Sequence, residues 1–286
     1  MDKVSVKVTV FFDEPFWAGV FERIDGEKLT ACKVVFGAEP GDDKVQELLL
    51  ENYYNLKFSP SVEVRVKKDV RGENGMLDIR NERKEDYSIV EEITRKAFYN
   101  VYVPGCMEHY LVHVMRDHED FIPELDFVLE RDGQVIGNIM YTKAKLTDEN
   151  GTEKKILTFG PVSVLPEYQR NGYGKLLINH SCQKAAELGY DVIVILGSPA
   201  NYVSCGFQCC KKYNVCVEGG KYPAAMMVKE LKEGALDGRK WYYSESPAMS
   251  IDEQAAMEFD DQLEPMEKKW TPRQEAFYIM SHSFVE

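Results

Sequence analysis

Val4, Val6, Val8 and Val10 alternate with Ser5, Lys7 and Thr9. This period of two runs on to Phe12 and predicts a strand with one buried face. Trp17–Ile24 and Leu29–Phe36 read as two further strands, with Asp25-Gly26 as the hairpin turn between them. Lys44–Tyr54 changes period: Val45, Leu48, Leu49 and Asn52 fall at helical spacing. Val62–Val66 alternates again. The pattern so far is a small curled sheet with one helix. At Arg71-Gly72-Glu73-Asn74-Gly75 two glycines and an asparagine interrupt it, which marks a turn or linker.

Beyond this seam the pattern resumes with a short strand over Leu77–Arg80. An amphipathic helix starts at Asp86, with Tyr87, Val90, Ile93, Ala97 and Phe98 on one face. Asp126–Arg131 and Gln134–Thr142 form a hairpin across Asp132-Gly133. Ile156–Val164 is a strand. Lys175–Leu188 is a helix that Gly189 terminates. Asp191–Leu196 is a continuous apolar run, the signature of a strand covered on both faces. Strand, glycine loop, helix and buried strand in that order make a right-handed crossover unit.

Composition narrows the classes. At about 150 residues per domain, 286 residues allow one large or two modest domains. The chain is 44% hydrophobic, enough for a real core. It carries 35 basic and 48 acidic side chains, a net charge of −13. Both parts share the acidity: residues 1–70 hold 10 basic and 13 acidic groups, the remainder 25 and 35. A phosphate-backbone binder needs a basic face, so no nucleic acid is expected as partner. A cationic substrate such as an amine suits the balance. No apolar run approaches the roughly 18 residues of a membrane span, and the alternating N-terminus is unlike a signal peptide. Seven cysteines, an odd number, do not form a secreted disulfide framework. The expected compartment is the reducing cytoplasm.

The most informative stretch is Val162-Ser163-Val164-Leu165-Pro166-Glu167-Tyr168-Gln169-Arg170-Asn171-Gly172-Tyr173-Gly174-Lys175. A strand enters a loop that opens directly into a helix. Gly172 and Gly174 remove side chains where backbone approaches a ligand or turns to positive φ. The free amides of the first helical turn, backed by the helix dipole, suit a phosphate. Arg170 and Lys175 add charge. The glycines alone fit a plain capping turn equally well. The loop lacks the Gly-Lys-Ser/Thr ending of a Walker loop and the third glycine of the dinucleotide fingerprint.

Gln169-x-x-Gly172-x-Gly174 between a strand and a helix resembles motif A of the GCN5-related N-acetyltransferases, the GNAT superfamily. Ser198-Pro199-Ala200-Asn201-Tyr202-Val203-Ser204-Cys205-Gly206-Phe207 follows the buried strand, where that superfamily has a Tyr four residues before a Gly-Phe pair. Ile79-Arg80-Asn81-Glu82 with Asp86 resembles the usual GNAT opening. Within the superfamily the chain is similar to the YhbS-like branch, from its Leu-Gly-x-Pro run and from Leu231-Lys232-Glu233-Gly234-Ala235-Leu236-Asp237-Gly238. It departs at Asn201, where an aromatic is usual, and at Cys205, where a bulky apolar residue is usual. In front, residues 3–66 resemble the YjdF-like family, through Val8-Thr9-Val10-Phe11-Phe12-Asp13, Pro15-Phe16-Trp17, Val34–Pro40 and Asn52–Pro60. The resemblance implies an α+β chain: a GNAT fold, with a mixed central sheet flanked by helices, preceded by a small mostly-β domain. The expected divisions are 1–72 (YjdF-like), 77–230 (GNAT) and a C-terminal extension, 231–286, packed on the GNAT domain.

The same resemblance implies acetyl-CoA as donor. Its pyrophosphate would rest on the amides of Arg170, Asn171, Gly172, Tyr173, Gly174 and Lys175, with Gln169 and Asn201 in the same groove. Its pantetheine arm would pair with Val162 and Val164 along the strand edge. Tyr202 matches the general acid for the leaving thiolate. Phe159-Gly160-Pro161 offers no carboxylate, so the base has no candidate. Residues 100–113 would wall the acceptor pocket, with Glu108, His109, Glu124 and Asp126 as acceptor-binding candidates. His109 and His113 stand four apart, but a third metal ligand has no obvious position and no metal is expected. Cys205, Cys209, Cys210 and Cys216 match no zinc spacing. The aromatic tail from Trp241 either lines the pocket or mediates a homodimer. The implied function is an N-acetyltransferase acting on a small amine. The alternative is a GNAT fold that senses a ligand or binds a partner without catalysis.

Overall fold

A computed structural model of the protein describes residues 5–25, 28–37, 40, 56–63 and 76–286. The chain divides into two compact units, Met1–Asn74 and Gly75–Glu286.

The first unit is a four-stranded sheet in the order β1 (Ser5–Asp13), β2 (Phe16–Asp25), β3 (Lys28–Gly37), β4 (Val62–Glu63). All its pairs are antiparallel. Asp25 stands opposite Lys28, the register of a two-residue hairpin connection. Gly26 of the expected turn, the expected helix at 44–54, residues 64–66 and the seam at 71–75 lie outside the described residues. Ala18 and Phe21 are buried, while Phe12 and Phe16 are exposed.

The second unit holds nine further strands: β5 (Leu77–Asn81), β6 (Phe127–Arg131), β7 (Gln134–Asp148), β8 (Glu153–Val164), β9 (Val192–Leu196), β10 (Gln208–Cys209), β11 (Val215–Cys216), β12 (Met226–Glu230) and β13 (Trp241–Ser244). Their order is β10-β12-β9-β8-β7-β13-β11, and β6, itself flanked by β5, pairs the first half of β7. β8–β9 and β11–β13 are parallel, so the sheet is mixed. Six helices accompany it: α1 (Tyr87–Phe98), α2 (Glu108–Met115), α3 (Tyr173–Glu187), α4 (Pro199–Tyr202), α5 (Glu253–Asp260) and α6 (Pro272–Ser281).

The elements follow from their patterns. α1 sends Val90 and Ile93 fully into the core, each worth about 1.5–3 kcal/mol of apolar burial. Arg80 bonds both Asp86 (2.6 and 3.0 Å) and Glu130 (3.0 and 3.1 Å), tying β5 to β6 and to the start of α1. β7 extends past the expected end at Thr142, because Lys143 and Lys145 stay exposed while Ala144 and Leu146 are buried. Along that added length it pairs with β13, which period analysis did not pick out.

One irregularity organises the site. Ile139 pairs with Val162, yet Tyr141 pairs with Phe159. β8 therefore carries an extra residue, a bulge at Gly160-Pro161 opposite Met140. Beyond it β8 and β9 part company, since their pairing is confined to Leu157 opposite Ile193.

Candidate active site

The parting strands open a cleft of about 340 Å³. Val162 and Val164 line its floor, and the loop and first turn of α3 line one wall. Val164 stands opposite Gly137 in the ladder, and the neighbouring Leu165 amide bonds Ile136 O at 2.9 Å. By the alternation of an antiparallel ladder, the main-chain groups of Val162 and Val164 then face away from β7, into the gap. The Val164 carbonyl there accepts from Gln169 Nε2 at 2.9 Å, which fixes where strand becomes loop.

The loop is built to leave its amides free. Gly172 caps α3 with φ +86°, a left-handed conformation that costs glycine little, and no side chain caps this end. The first amide to close onto a carbonyl is that of Leu176, on Gly172 O at 3.0 Å. Arg170 also turns left-handed, at φ 63°. Asn171 does not line the cleft; its side-chain Nδ2 donates to the carbonyls of Tyr168 and Gln169, both at 3.2 Å, and so holds the loop shape. Arg131, nearly buried, bonds the Tyr173 hydroxyl at 2.9 Å and steadies the helix start. Gly174 needs no special φ, and a Cβ there would meet only Val164 Cγ2, at 3.9 Å. The protein leaves that space open toward the cleft.

Tyr202 closes the other side. Its ring packs on Phe159 (5.8 Å) and Phe207 (6.0 Å). It lies so close on Gly197 that a Cβ there would stand 2.5 Å from Cε2. Tyr202 lines the cleft, and its hydroxyl has no hydrogen-bond partner among the described residues. Burial, and then Tyr102 and Cys205, push that hydroxyl well above its ordinary pKa, so it keeps its proton. Asn201 and Ala200 line the same side.

Of the expected donor-site residues, the cleft gathers Val162, Val164, Gln169, Arg170, Gly172, Tyr173, Gly174, Lys175, Asn201 and Tyr202. It does not gather the four acceptor candidates. Asp126 is buried under β6, bonded by Asn138 Nδ2 at 3.1 Å; burial and then Glu82 push its carboxyl up. His109 is fully buried and 3.3 Å from Asp260, and burial lowers its pKa to about 4. Glu108 accepts the Met107 amide at 3.1 Å and the Cys106 thiol at 3.3 Å, with its pKa raised by burial. Glu124 is exposed on the turn before β6. What lines the remaining wall is Ala97, Phe98, Val101 and Tyr102, together with Arg273 from α6. The segment that supplies most of this wall was legible, but Arg273 was not; its only signal was the aromatic content of the tail. Among the described residues no group of three or more His, Cys, Asp or Glu is arranged to hold a metal, and no helix is long and apolar enough to cross a membrane.

Comparison with known proteins agrees with this geometry. Residues 89–207 match the family model described as Acetyltransferase (GNAT) family. Residues 8–97 match the one described as Protein of unknown function (DUF2992). The chain is 28% identical over 150 residues to the Escherichia coli (strain K12) protein called Uncharacterized N-acetyltransferase YhbS, covering 52% of this chain and 84% of that protein. It is 38% identical over 53 residues to the Uncharacterized protein YjdF of Bacillus subtilis (strain 168), covering 18% of this chain but 33% of that one. The crystal structure of E. coli YhbS in complex with CoA superposes with a TM-score of 0.53 at 24% identity, over 62% of this chain and 93% of that one, a likeness of fold. The second unit thus carries the stretch that the GNAT acetyltransferase family model matches, and it is similar to YhbS. A YjdF-like domain precedes it.

Proposed function

We propose that this protein transfers the acetyl group of acetyl-CoA to the amine of a small molecule, by direct attack in a ternary complex. The observation that carries the reading is one cleft holding both the uncapped amides at the start of α3 and the unpartnered Tyr202 hydroxyl. The diphosphate of the donor binds those amides, with Arg170 and Lys175 adding charge. The pantetheine arm adds to β8 as a short strand, on the main-chain groups of Val162 and Val164 that face away from β7 and are not taken by Gln169. The space beside Gly174 admits the diphosphate backbone. The E. coli YhbS structure is a complex with CoA, which supports this choice of donor.

The neutral amine attacks the thioester carbonyl carbon. The carbonyl electrons move onto oxygen, where a β8 amide, that of Val162 just past the bulge, stabilises the charge. Collapse breaks the C–S bond and completes the C–N bond. The Tyr202 hydroxyl gives its proton to the departing thiolate, and the proton lost from nitrogen returns through solvent to the tyrosinate. Among the described residues no carboxylate lines the cleft, so deprotonation of the amine falls to water. The seven free cysteines, six of them buried, suit a reducing cytoplasm as the place of action.

Calorimetric titration with acetyl-CoA tests the reading: saturable binding is expected at about 1–100 μM, within the usual range of working substrate affinities. No binding at millimolar donor ends it. Binding without thiol release from any amine assigns the fold to ligand sensing or partner binding instead.

A further inference from the structure

We infer that the acceptor is an amine that also bears a carboxylate, and that Arg273 of the C-terminal extension is the residue that selects it. This rests on the acetyltransferase reading and adds the chemical class of the acceptor.

The charge of the cleft is the first ground. Among the described residues lining it, Arg170, Lys175 and Arg273 are cationic and none is anionic, in a chain of net charge −13. Arg170 and Lys175 stand beside the amides that take a diphosphate. Arg273 stands on the α6 side of the cleft, with the apolar Phe98 and Val101 as fellow lining residues. It is exposed and has no ion-pair or hydrogen-bond partner among the described residues. A planar guanidinium left free beside apolar walls is suited to bidentate capture of a carboxylate. The acidic side chains that would draw a purely cationic amine lie outside the cleft.

The second ground is that the position is built. Asn100, left-handed at φ 61°, docks the extension. Its carbonyl accepts from Thr271 Oγ1 at 3.2 Å and from Gln274 Nε2 at 3.1 Å. Its side chain donates to Glu267 O at 2.8 Å and accepts the Lys269 amide at 3.0 Å. Further along α6, Phe277 packs on Tyr102 with ring centroids 4.2 Å apart. Thr271, Gln274 and Phe277 therefore pin the start of α6, and each has a structural role. Arg273 sits between them with none and lines the cleft. The positive end of the α6 dipole adds to the same field.

Matched amines test the proposal: phenylalanine against phenylalaninamide, and tyrosine against tyramine, with thiol release as the readout at saturating acetyl-CoA. The wild type is expected to favour the carboxylate member by about 30-fold in kcat/KM, the scale of a charge-assisted bidentate contact. Arg273→Gln brings the ratio near one through the KM of the amine, and Arg273→Lys keeps part of it. The KM of acetyl-CoA moves less than about twofold. The proposal is overturned by a wild type without preference, or by an unchanged ratio in Arg273→Gln. A change confined to the KM of acetyl-CoA also overturns it, and assigns Arg273 to the donor's phosphates. If acetyl-CoA binds in the calorimeter but no probe is acetylated, the acceptor class is wrong and the donor site stands. If acetyl-CoA does not bind, the acetyltransferase reading fails as well.

Discussion

The two walls of the cleft are made in different ways. The donor wall is one continuous run, from the β8 bulge through the glycine loop into α3. Its amides are free because neighbours in sequence hold the loop: Asn171 on Tyr168 and Gln169, and Gln169 on Val164. The opposite wall, proposed for the acceptor, is assembled from the end of α1 and the start of α6, which are held together by the bonds of Asn100 to Thr271 and Gln274 and by Phe277 packing on Tyr102. A contiguous wall is set by short-range rules of glycine conformation and helix ends. A composite wall depends on long-range docking, and so it can change its specificity without disturbing the donor site.

That contrast can be broken most forcefully at Gly174. Because a Cβ there meets nothing closer than 3.9 Å, Gly174→Val fills the cleft without straining the fold. Acetyl-CoA affinity is expected to drop by about 100-fold or more, as free amides lose access to phosphate, while the melting temperature holds. Unchanged calorimetric affinity would show that the loop is a capping turn only.

Tyr202→Phe follows in size. It should lower kcat by about 100-fold, the scale of one general acid, and leave donor affinity alone. With its pKa raised, the hydroxyl imposes no fall in rate below pH 10, so an alkaline limb near neutrality must come from another group. Gly197→Ala, whose Cβ would stand 2.5 Å from the ring, is expected to shift Tyr202 and lower kcat less.

Gln274→Ala probes the composite wall. Losing its bonds to Asn100 O and Lys269 O loosens the start of α6 and should raise the KM of the amine by about fivefold, the worth of a buried hydrogen bond. The KM of acetyl-CoA should not follow. If both rise together, the walls are one unit and the comparison fails.

The smallest effect lies outside the cleft. Burial and Glu82 raise Asp126 to about 9, far above its unfolded value. A carboxyl raised in the folded state is most stabilising below its unfolded pKa and loses that contribution as pH climbs through the folded one. Asp126→Asn mimics the protonated acid, so its melting temperature should exceed that of the wild type by roughly 2–4 °C at pH 9. The gap should vanish near pH 4. A gap that stays constant across this range would sink the assignment, and neither KM should move.

Most of the donor wall could be read from the amino acids in order. Gly172 and Gly174 between a strand and a helix announce a loop with free amides, and the apolar run at Val192–Leu196 announces the buried strand beside it. The same reading placed Glu108, His109 and Asp126 at the acceptor, yet all three turn inward or away. Helical spacing records which residues share a face, not which neighbour that face meets. His109 faces Phe259 and Asp260 of α5, elements that no local pattern connects to α2. β13 was missed for a related reason: four residues carry too little period to register, and its place beside β7 comes from cross-strand pairing.

What the order of residues determined alone was the strand–loop–helix with free amides at its turn, because glycine torsions and helix ends act over a few positions. What only the folded chain decided was that Arg273 shares a cleft with Tyr202. Two segments so distant along the backbone meet through packing and hydrogen bonds at Asn100, and that meeting leaves no periodic trace.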